Sequence, residues 1–226
     1  MDVTTLAVGL ITAGGTLGGA MFNEFASQKR ERRADQQRAQ ERDDRVQQAR
    51  RDLYARLNTT ARAYRVAAQD AVRAAERGEA IETAVLDAAK EAWADEYSQA
   101  QMALTKDVLE VTSTLNRALG VGYTVVKRLP SGPSPEVAYS RANTWFSGPL
   151  SDGVYLLRVT LRHDLGVEVK PDFERSRMRG LTVLDTERKS LERQLDSEQT
   201  QASRGVAQSP IASTERRDAV ESYRHV

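Results

Sequence analysis

A long stretch without helix-breaking residues constrains this chain more than any other feature of its sequence. Between Ala26 and Leu129 there is no proline, and the only glycine before Gly120 is Gly78. Proline and glycine end or weaken helices, so a stretch of this length without them favours helix throughout. The chain is therefore predicted to be all-α, with a long helix that turns back on itself at Gly78.

Composition agrees with a helical protein and excludes several classes of function. Aromatic residues make up 6% of the chain and charged residues 29%, a balance that suits amphipathic helices better than a sheet core. The net charge of +1, from 33 basic and 32 acidic residues, produces no overall field that would attract nucleic acid. The absence of cysteine excludes disulfides, thiolate metal sites and a cysteine nucleophile.

The long antiparallel helical hairpin is predicted over residues 26–119, and both of its arms carry an apolar stripe at steps of three and four residues. The stripes are Val46, Leu53, Leu57, Thr60, Tyr64, Ala67, Ala71 and Ala74 in the first arm, and Leu86, Ala89, Trp93, Tyr97, Ala100, Leu104, Val108, Val111, Leu115 and Ala118 in the second. The first arm has fourteen basic and eight acidic residues, and the second has three basic and eight acidic. Opposite net charges favour pairing of the arms, although the apolar stripes must supply most of the stability.

The remainder of the chain is predicted to form a smaller helical part. Residues 120–135 collect glycine and proline and are expected to form a linker, and residues 136–202 are expected to form additional helices. The last of these helices is weakly apolar, with its apolar positions at Phe173, Leu181, Leu184, Leu191 and Leu195. The last segment, 203–226, lacks a sustained apolar period and is predicted to be a flexible tail. The predicted architecture is an elongated helical bundle or a coiled coil.

One segment of the C-terminal part allows two interpretations. Gly148 and Pro149 interrupt the helical pattern, and residues 154–169 then combine helical spacing with an alternation of apolar and polar positions. Alternation is also typical of a half-buried strand. A helix and a short strand both remain open here.

The beginning of the chain has the length of a transmembrane helix. No charged residue lies between Val3 and Asn23, and twenty-one residues at about 1.5 Å each span about 30 Å, the thickness of a bilayer's hydrocarbon core. Residues 1–25 are therefore predicted to be a single-pass transmembrane anchor. Because threonine and glycine interrupt the run, its hydrophobicity is modest, and burial of this helix within a soluble assembly is the alternative.

Charges around the run predict the direction in which it crosses the membrane. Only Asp2 precedes it, whereas Lys29, Arg30, Arg32 and Arg33 follow it, an order typical of an uncleaved anchor rather than a signal peptide. Basic residues beside a span stay on the cytoplasmic side, so the amino terminus is expected outside and the body in the cytoplasm. The four basic residues form either an ordinary membrane flank or a neck that contacts anionic lipid.

Four glycines in the predicted anchor have the spacing that lets two helices approach closely in lipid. Gly14 and Gly18, and likewise Gly15 and Gly19, are separated by three residues. This GxxxG pattern removes side chains from one helix face, so it predicts self-association and a homo-oligomer.

No catalytic, cofactor-binding or metal-binding residue is predicted. His163 and His225 are too few and too distant in sequence for a histidine metal site, and the carboxylates Glu91, Asp95 and Glu96 lack the Glu-x-x-His partners of a di-metal bundle. The basic pairs are short and interleaved with acids, which argues against a nucleic-acid interface; they are Arg50 with Arg51 and Arg216 with Arg217. The aromatic residues are expected in the core or at an interface, with a ligand groove as the alternative; they are Trp93, Tyr97, Trp145 and Phe146.

The anchor sequence TLAVGLITAGGTLGGAMF, its KRERR flank and the following arm rich in Arg, Ala and Gln resemble uncharacterised single-pass, membrane-anchored helical proteins of high-GC bacteria. The resemblance covers about the first 80 residues and implies a topology, without a site. The leading hypothesis is a non-enzymatic scaffold or adaptor that self-associates or recruits a partner at the cytoplasmic face. The alternatives are a membrane-active effector or signalling regulator acting through the glycine-rich helix, and a soluble structural subunit with its apolar start buried in an oligomer.

Overall fold

A computed structural model describes six helices. They are α1 (Val3–Glu76), α2 (Thr83–Ala100), α3 (Lys106–Arg128), α4 (Pro135–Ser147), α5 (Pro149–Asp164) and α6 (Phe173–Ala207). The backbone is described over residues 3–129, 134–168 and 171–207, and the side chains over residues 32–129, 134–168, 171–201 and 203–204.

The prediction of an all-α fold is confirmed. No strand occurs within the described backbone, and the segment for which a strand was the alternative continues the helix α5. Pro149 occupies the first turn of α5, where its missing N–H needs no partner and its fixed φ suits a helix. The buried side chains of this segment, Val154, Leu157 and Leu161, follow helical steps of three and four residues, whereas Tyr155, which fits only the alternation, is 53% exposed.

Gly78 lies in the turn between α1 and α2 and has a φ of 74°, in the left-handed region that favours glycine. The described helices form five arms that run alternately up and down, and α4 and α5 together make the fourth arm. Side-chain contacts between neighbouring arms show the alternation. Arg56 pairs with Glu96 between α1 and α2, and Trp93 donates to Asn116 between α2 and α3.

The core of the bundle surrounds α3, whose backbone approaches α5 and α6 most closely. Its fully buried positions include Val108, Leu115 and Val126. Against it, α1 contributes a buried stripe at strictly alternating steps of three and four residues, Tyr54, Leu57, Ala61, Tyr64, Ala68, Ala71 and Ala75. The five apolar positions predicted for the last helix are all buried in α6: Phe173, Leu181, Leu184, Leu191 and Leu195.

Two of the predicted segments need correction. The second arm of the predicted hairpin, within 26–119, is not one helix: it breaks after Ala100, and Thr105 in extended backbone starts α3 in the opposite direction. The predicted linker, 120–135, is largely helical, because α3 runs to Arg128 and α4 begins at Pro135. Of the two glycines inside α3, Gly122 lies against Trp145 and Phe146 of α4, whereas Gly120 is exposed.

Other boundaries shift by smaller amounts. Val46, assigned to the first stripe, is 64% exposed, so the buried stripe begins near Tyr54. The start of the predicted tail, 203–226, belongs to α6 as far as Ala207, and the rest of the tail lies outside the described residues.

Contacts divide the chain into two units, residues 1–52 and 53–226, with the boundary inside α1. The described part of the first unit is a polar helix in which most side chains are exposed. Pairs one turn apart connect Asp35 with Arg38 and Glu41 with Arg45. Such exposed pairs are each worth only some tenths of a kcal/mol, about 0.3–0.5. The second unit contains the bundle and its core.

Within the described part of the chain, no helix has the length and hydropathy to cross a membrane. The predicted anchor, residues 1–25, lies outside the residues whose side chains are described. It therefore stays a prediction.

Candidate partner-binding groove

The helices α4 and α6 run antiparallel and leave a groove between them. Two contacts give the direction. Arg141 of α4 pairs with Glu198 near the end of α6. Gly180, near the beginning of α6, packs on Leu156 of α5, which follows α4 in the chain. The groove encloses about 690 Å³. Its α4 wall extends from Glu136 to Trp145, about three turns of helix and therefore about 15 Å.

An apolar floor and polar rims give the groove an amphipathic surface. Val137 is 60% exposed, whereas Trp145 and Leu191 are buried side chains whose edges reach the groove. Small polar side chains flank this floor: Ser140, Thr144, Ser190, Gln194 and Ser197. Exposed apolar surface bordered by polar residues is typical of surfaces that bind other proteins.

The groove is acidic. Among the described residues that line it, Glu136, Glu187 and Glu198 are acidic and Arg141 alone is basic. Arg141 is already paired with Glu198, and its Nε lies buried without a hydrogen-bond partner among the described residues. The ion pair neutralises one carboxylate, so two glutamates remain to meet positive charge on an incoming molecule.

Comparison with known protein families, curated proteins and solved structures finds no significant match.

A polar cluster lies where α1, α2 and α3 meet at the edge of the bundle. The hydroxyl of Tyr123 donates to Asp87 Oδ1 at 2.8 Å, and Lys127 Nζ lies 3.1 Å from Asp87 Oδ2. These hydrogen bonds lower the pKa of Asp87. Burial, together with the negative charge of Asp87 and the neighbouring phenol of Tyr123, raises the pKa of Tyr64, whose hydroxyl has no partner among the described residues. Tyr64 is buried, whereas the side chains of Lys127 and Asp87 are 33% and 39% exposed. The hydrogen bonds connect α2 with α3, which indicates a structural role.

A buried arginine ties α6 to α3. Arg177 is 5% exposed, and its guanidinium lies 2.6 Å from Glu110, 2.9 Å from Glu174 and 3.3 Å from Asp107. Desolvation lowers the pKa of Arg177, but hydrogen bonds with Glu174 and Glu110 outweigh it and the pKa is raised. Three partially exposed carboxylates thus surround one buried cation, and these ion pairs stabilise the packing of α6 on α3.

The histidine considered for chemistry takes part in packing. His163 stacks on Phe173 with ring centroids 3.7 Å apart, and its Nδ1 lies 3.1 Å from the carbonyl oxygen of Glu168. The neighbouring Asp164 accepts hydrogen bonds from Tyr54 and from Thr105, which joins three arms at one end of the bundle.

The other candidate residues are distributed as follows. Of the acidic trio, Glu96 pairs with Arg56, and the described residues contain no group of three metal-binding side chains. Arg32 and Arg33 are exposed on α1. Gly14, Gly15, Gly18, Gly19, Lys29 and Arg30 lie in the part of α1 whose side chains are outside the description, and His225, Arg216 and Arg217 lie outside it altogether.

Sequence reasoning did not find the groove. It identified Trp145 as a core or interface aromatic with a ligand groove as the alternative; Trp145 is buried and borders the α4–α6 groove. The opposite wall comes from residues about 50 positions later in α6. Only the recurrence of glutamates beside small polar residues in both segments could have indicated a shared surface.

Proposed function

We propose that the protein is a non-enzymatic scaffold or adaptor that recruits a partner protein through the α4–α6 groove. The observation that carries the proposal is an amphipathic, acidic groove about three turns long on the surface of the helical bundle. A groove of this shape suits a helical segment that places apolar side chains on the floor. The two unneutralised glutamates select a segment that also carries lysine or arginine.

Membrane attachment is the second part of the proposal. Residues 1–25 would anchor the chain with its amino terminus outside, and Lys29, Arg30, Arg32 and Arg33 would keep the bundle in the cytoplasm. The glycine pairs Gly14 with Gly18 and Gly15 with Gly19 would let anchors associate, which makes the scaffold multivalent. The length of the uncharged run and the order of charges after it support this part.

The groove is tested by photocrosslinking in cells. A photoreactive amino acid at Ser190 is expected to capture a cationic, amphipathic segment of a partner, identified by mass spectrometry. The double charge reversal Glu136→Lys with Glu187→Lys is expected to abolish the adduct. As a control, the same photoreactive residue at Met178, which is 49% exposed elsewhere on α6, should capture no such segment.

Other occupants of the groove have distinct outcomes. An adduct with a second copy of the chain would show that the groove serves self-association instead of partner recruitment. An adduct with residues 208–226 of the same chain would show that the groove is covered intramolecularly. An acidic or purely polar captured segment, or an adduct that survives charge reversal, would contradict the proposal.

The anchor is tested separately by fractionation. The full chain is expected in the membrane fraction and released only by detergent, and a chain beginning at Ala26 in the soluble fraction. If both chains appear in the same fraction, the prediction of an anchor is wrong. The result of the groove experiment does not depend on this outcome.

A further inference from the structure

A second cleft, between α1 and α5, is basic. It encloses about 230 Å³, and the residues that give it its chemistry are Asn58, Arg62, Arg65, Ser151, Tyr155 and Arg158. No carboxylate is among the described residues that line it. We call it the arginine cleft. Its volume is below the roughly 300–1,000 Å³ of a site for drug-sized molecules, so it suits a small anion or the end of a larger molecule.

The charges of the cleft are not neutralised by neighbouring acids. Within the described part of the chain, Arg62 and Arg158 form neither a hydrogen bond nor an ion pair, and Arg158 lies over the ring of Tyr155 at 5.0 Å. Elsewhere in the bundle, arginines such as Arg177 and Arg188 are held by carboxylates. Three positive charges around one small space strongly favour an anion.

Neutral groups hold the third arginine in place. Arg65 Nη1 lies 3.3 Å from Gln69 Oε1 and 3.3 Å from the carbonyl oxygen of Phe146. These acceptors fix the side chain without cancelling its charge, and they leave other guanidinium N–H groups for a ligand. A guanidinium fixed in this way loses less conformational entropy when it binds an anion.

Hydrogen-bonding groups beside the arginines complete the cleft. Ser151 is the third residue of α5, so the cleft adjoins the positive end of a helix whose first N–H groups lack intrahelical partners. The side-chain oxygen of Asn58 is buried and has no hydrogen-bond partner among the described residues. The oxygen of Asn58 accepts hydrogen bonds and is therefore available to a protonated phosphate oxygen, such as the O–H of HPO4²⁻, whereas the hydroxyl of Ser151 can donate to an unprotonated one.

We infer that the arginine cleft binds a phosphate group. A phosphate dianion offers oxygens in a tetrahedral arrangement, which suits guanidinium groups that converge from two helices, and its double charge exceeds that of a carboxylate. The group can belong to free phosphate or to the phosphomonoester headgroup of a lipid. Both sources share the chemistry that Arg62, Arg65 and Arg158 recognise.

The inference is tested by calorimetric titration of the full-length protein, in a non-ionic detergent and at constant ionic strength, with inorganic phosphate. Saturable binding is expected, and the double variant Arg62→Gln with Arg158→Gln is expected to lose about tenfold or more in affinity, because two charged donors are removed. Arg73→Gln, an exposed substitution on the same helix outside the cleft, is the matched control and should bind as the parent does. Circular dichroism verifies that all variants keep their helices.

A second titration distinguishes the two sources. Short-chain phosphatidic acid below its micellar concentration, compared with short-chain phosphatidylcholine, is expected to bind through the same arginines if a lipid headgroup is the ligand. If phosphatidic acid binds no more tightly than inorganic phosphate, free phosphate is the ligand. The absence of saturable binding of either probe, or equal affinity in the double variant, overturns the inference.

Discussion

Tyr64 is the residue whose surroundings most conflict with its chemistry. It is 2% exposed, yet its hydroxyl has no hydrogen-bond partner among the described residues. An unsatisfied buried hydroxyl costs about 1–3 kcal/mol, whereas the ring itself stabilises the core. Tyr64→Phe keeps the ring and removes the hydroxyl. We expect the free energy of unfolding at pH 7 to stay the same or to rise by about 1 kcal/mol, measured by urea denaturation.

The pH dependence of stability provides the second readout of the same substitution. In the unfolded chain a tyrosine ionises near a pKa of about 10, and burial raises the pKa of Tyr64 in the folded protein. The contribution of the protonated Tyr64 to the free energy of unfolding is therefore complete below about pH 10 and is lost as the pH rises above that value. The alkaline loss of stability should be smaller in Tyr64→Phe than in the parent protein.

Tyr123→Phe is the matched control, because the hydroxyl of Tyr123 does have a partner, Asp87, at 2.8 Å. Removing this hydrogen bond is expected to destabilise the protein by about 1 kcal/mol. If Tyr64→Phe destabilises the protein as much as Tyr123→Phe does, the hydroxyl of Tyr64 is satisfied and the interpretation is wrong.

At the scale of elements, the sequence predicted helices well and their ends poorly. Leucines in α6 stand at steps of three, four and seven, so the pattern identified its buried face without ambiguity. In α1, alanine occurs on several faces, so the pattern favoured Ala67 and Ala74, whereas the packed positions are Ala68 and Ala75. Alanine contributes too little apolar area to determine a face, and tertiary packing decides it.

Glycine misled the prediction of α3 for a related reason. Gly120 and Gly122 contributed to the expectation of a linker, but both lie inside the helix. A glycine can serve the close approach of a neighbouring helix instead of ending its own. A Cβ built on Gly122 would lie 3.0 Å from Phe146 Cε1 and 3.1 Å from Trp145 Nε1. Such contacts join residues distant in sequence, and no local pattern reveals them.

The two glycines make a paired prediction about α3. Gly120→Ala meets nothing within 4 Å, so it should stabilise the protein by up to about 1 kcal/mol through helix propensity. Gly122→Ala gains the same propensity but crowds Trp145 and Phe146, and overpacking typically costs about 1–3 kcal/mol. We therefore expect the free energy of unfolding of Gly122→Ala to be about 2 kcal/mol lower than that of Gly120→Ala. Thermal and urea denaturation of the two variants measures this difference.

The reverse order of stability would contradict the close packing of α3 on α4. The buried Trp145 provides an independent check, because its fluorescence should change in Gly122→Ala and remain unchanged in Gly120→Ala.

At the scale of the whole molecule, the sequence predicted an all-helical chain but not which residues form an independent domain. The predicted hairpin began at residue 26, whereas the compact unit begins at Leu53. The difference has a physical cause: helix propensity and i to i+4 ion pairs continue through residues 32–52, but buried apolar side chains do not. Propensity determines where the helix forms, and burial determines where the domain begins. The α4–α6 groove and the arginine cleft both belong to this domain, and both depend on contacts between distant segments.

A chain of residues 53–226 is therefore expected to fold alone. Because it keeps every buried residue of the core, it should unfold cooperatively and melt within about 4 °C of the full chain, as followed by circular dichroism. A chain that begins at Arg77 is the control: it loses Leu57, Tyr64 and Val72, and each fully buried apolar side chain contributes about 1.5–3 kcal/mol. Against a typical domain stability of about 5–15 kcal/mol, that loss should abolish cooperative unfolding. A 53–226 chain that is unfolded would mean that the bundle needs the polar part of α1, and an Arg77 chain that melts cooperatively would mean that α1 is dispensable to the core.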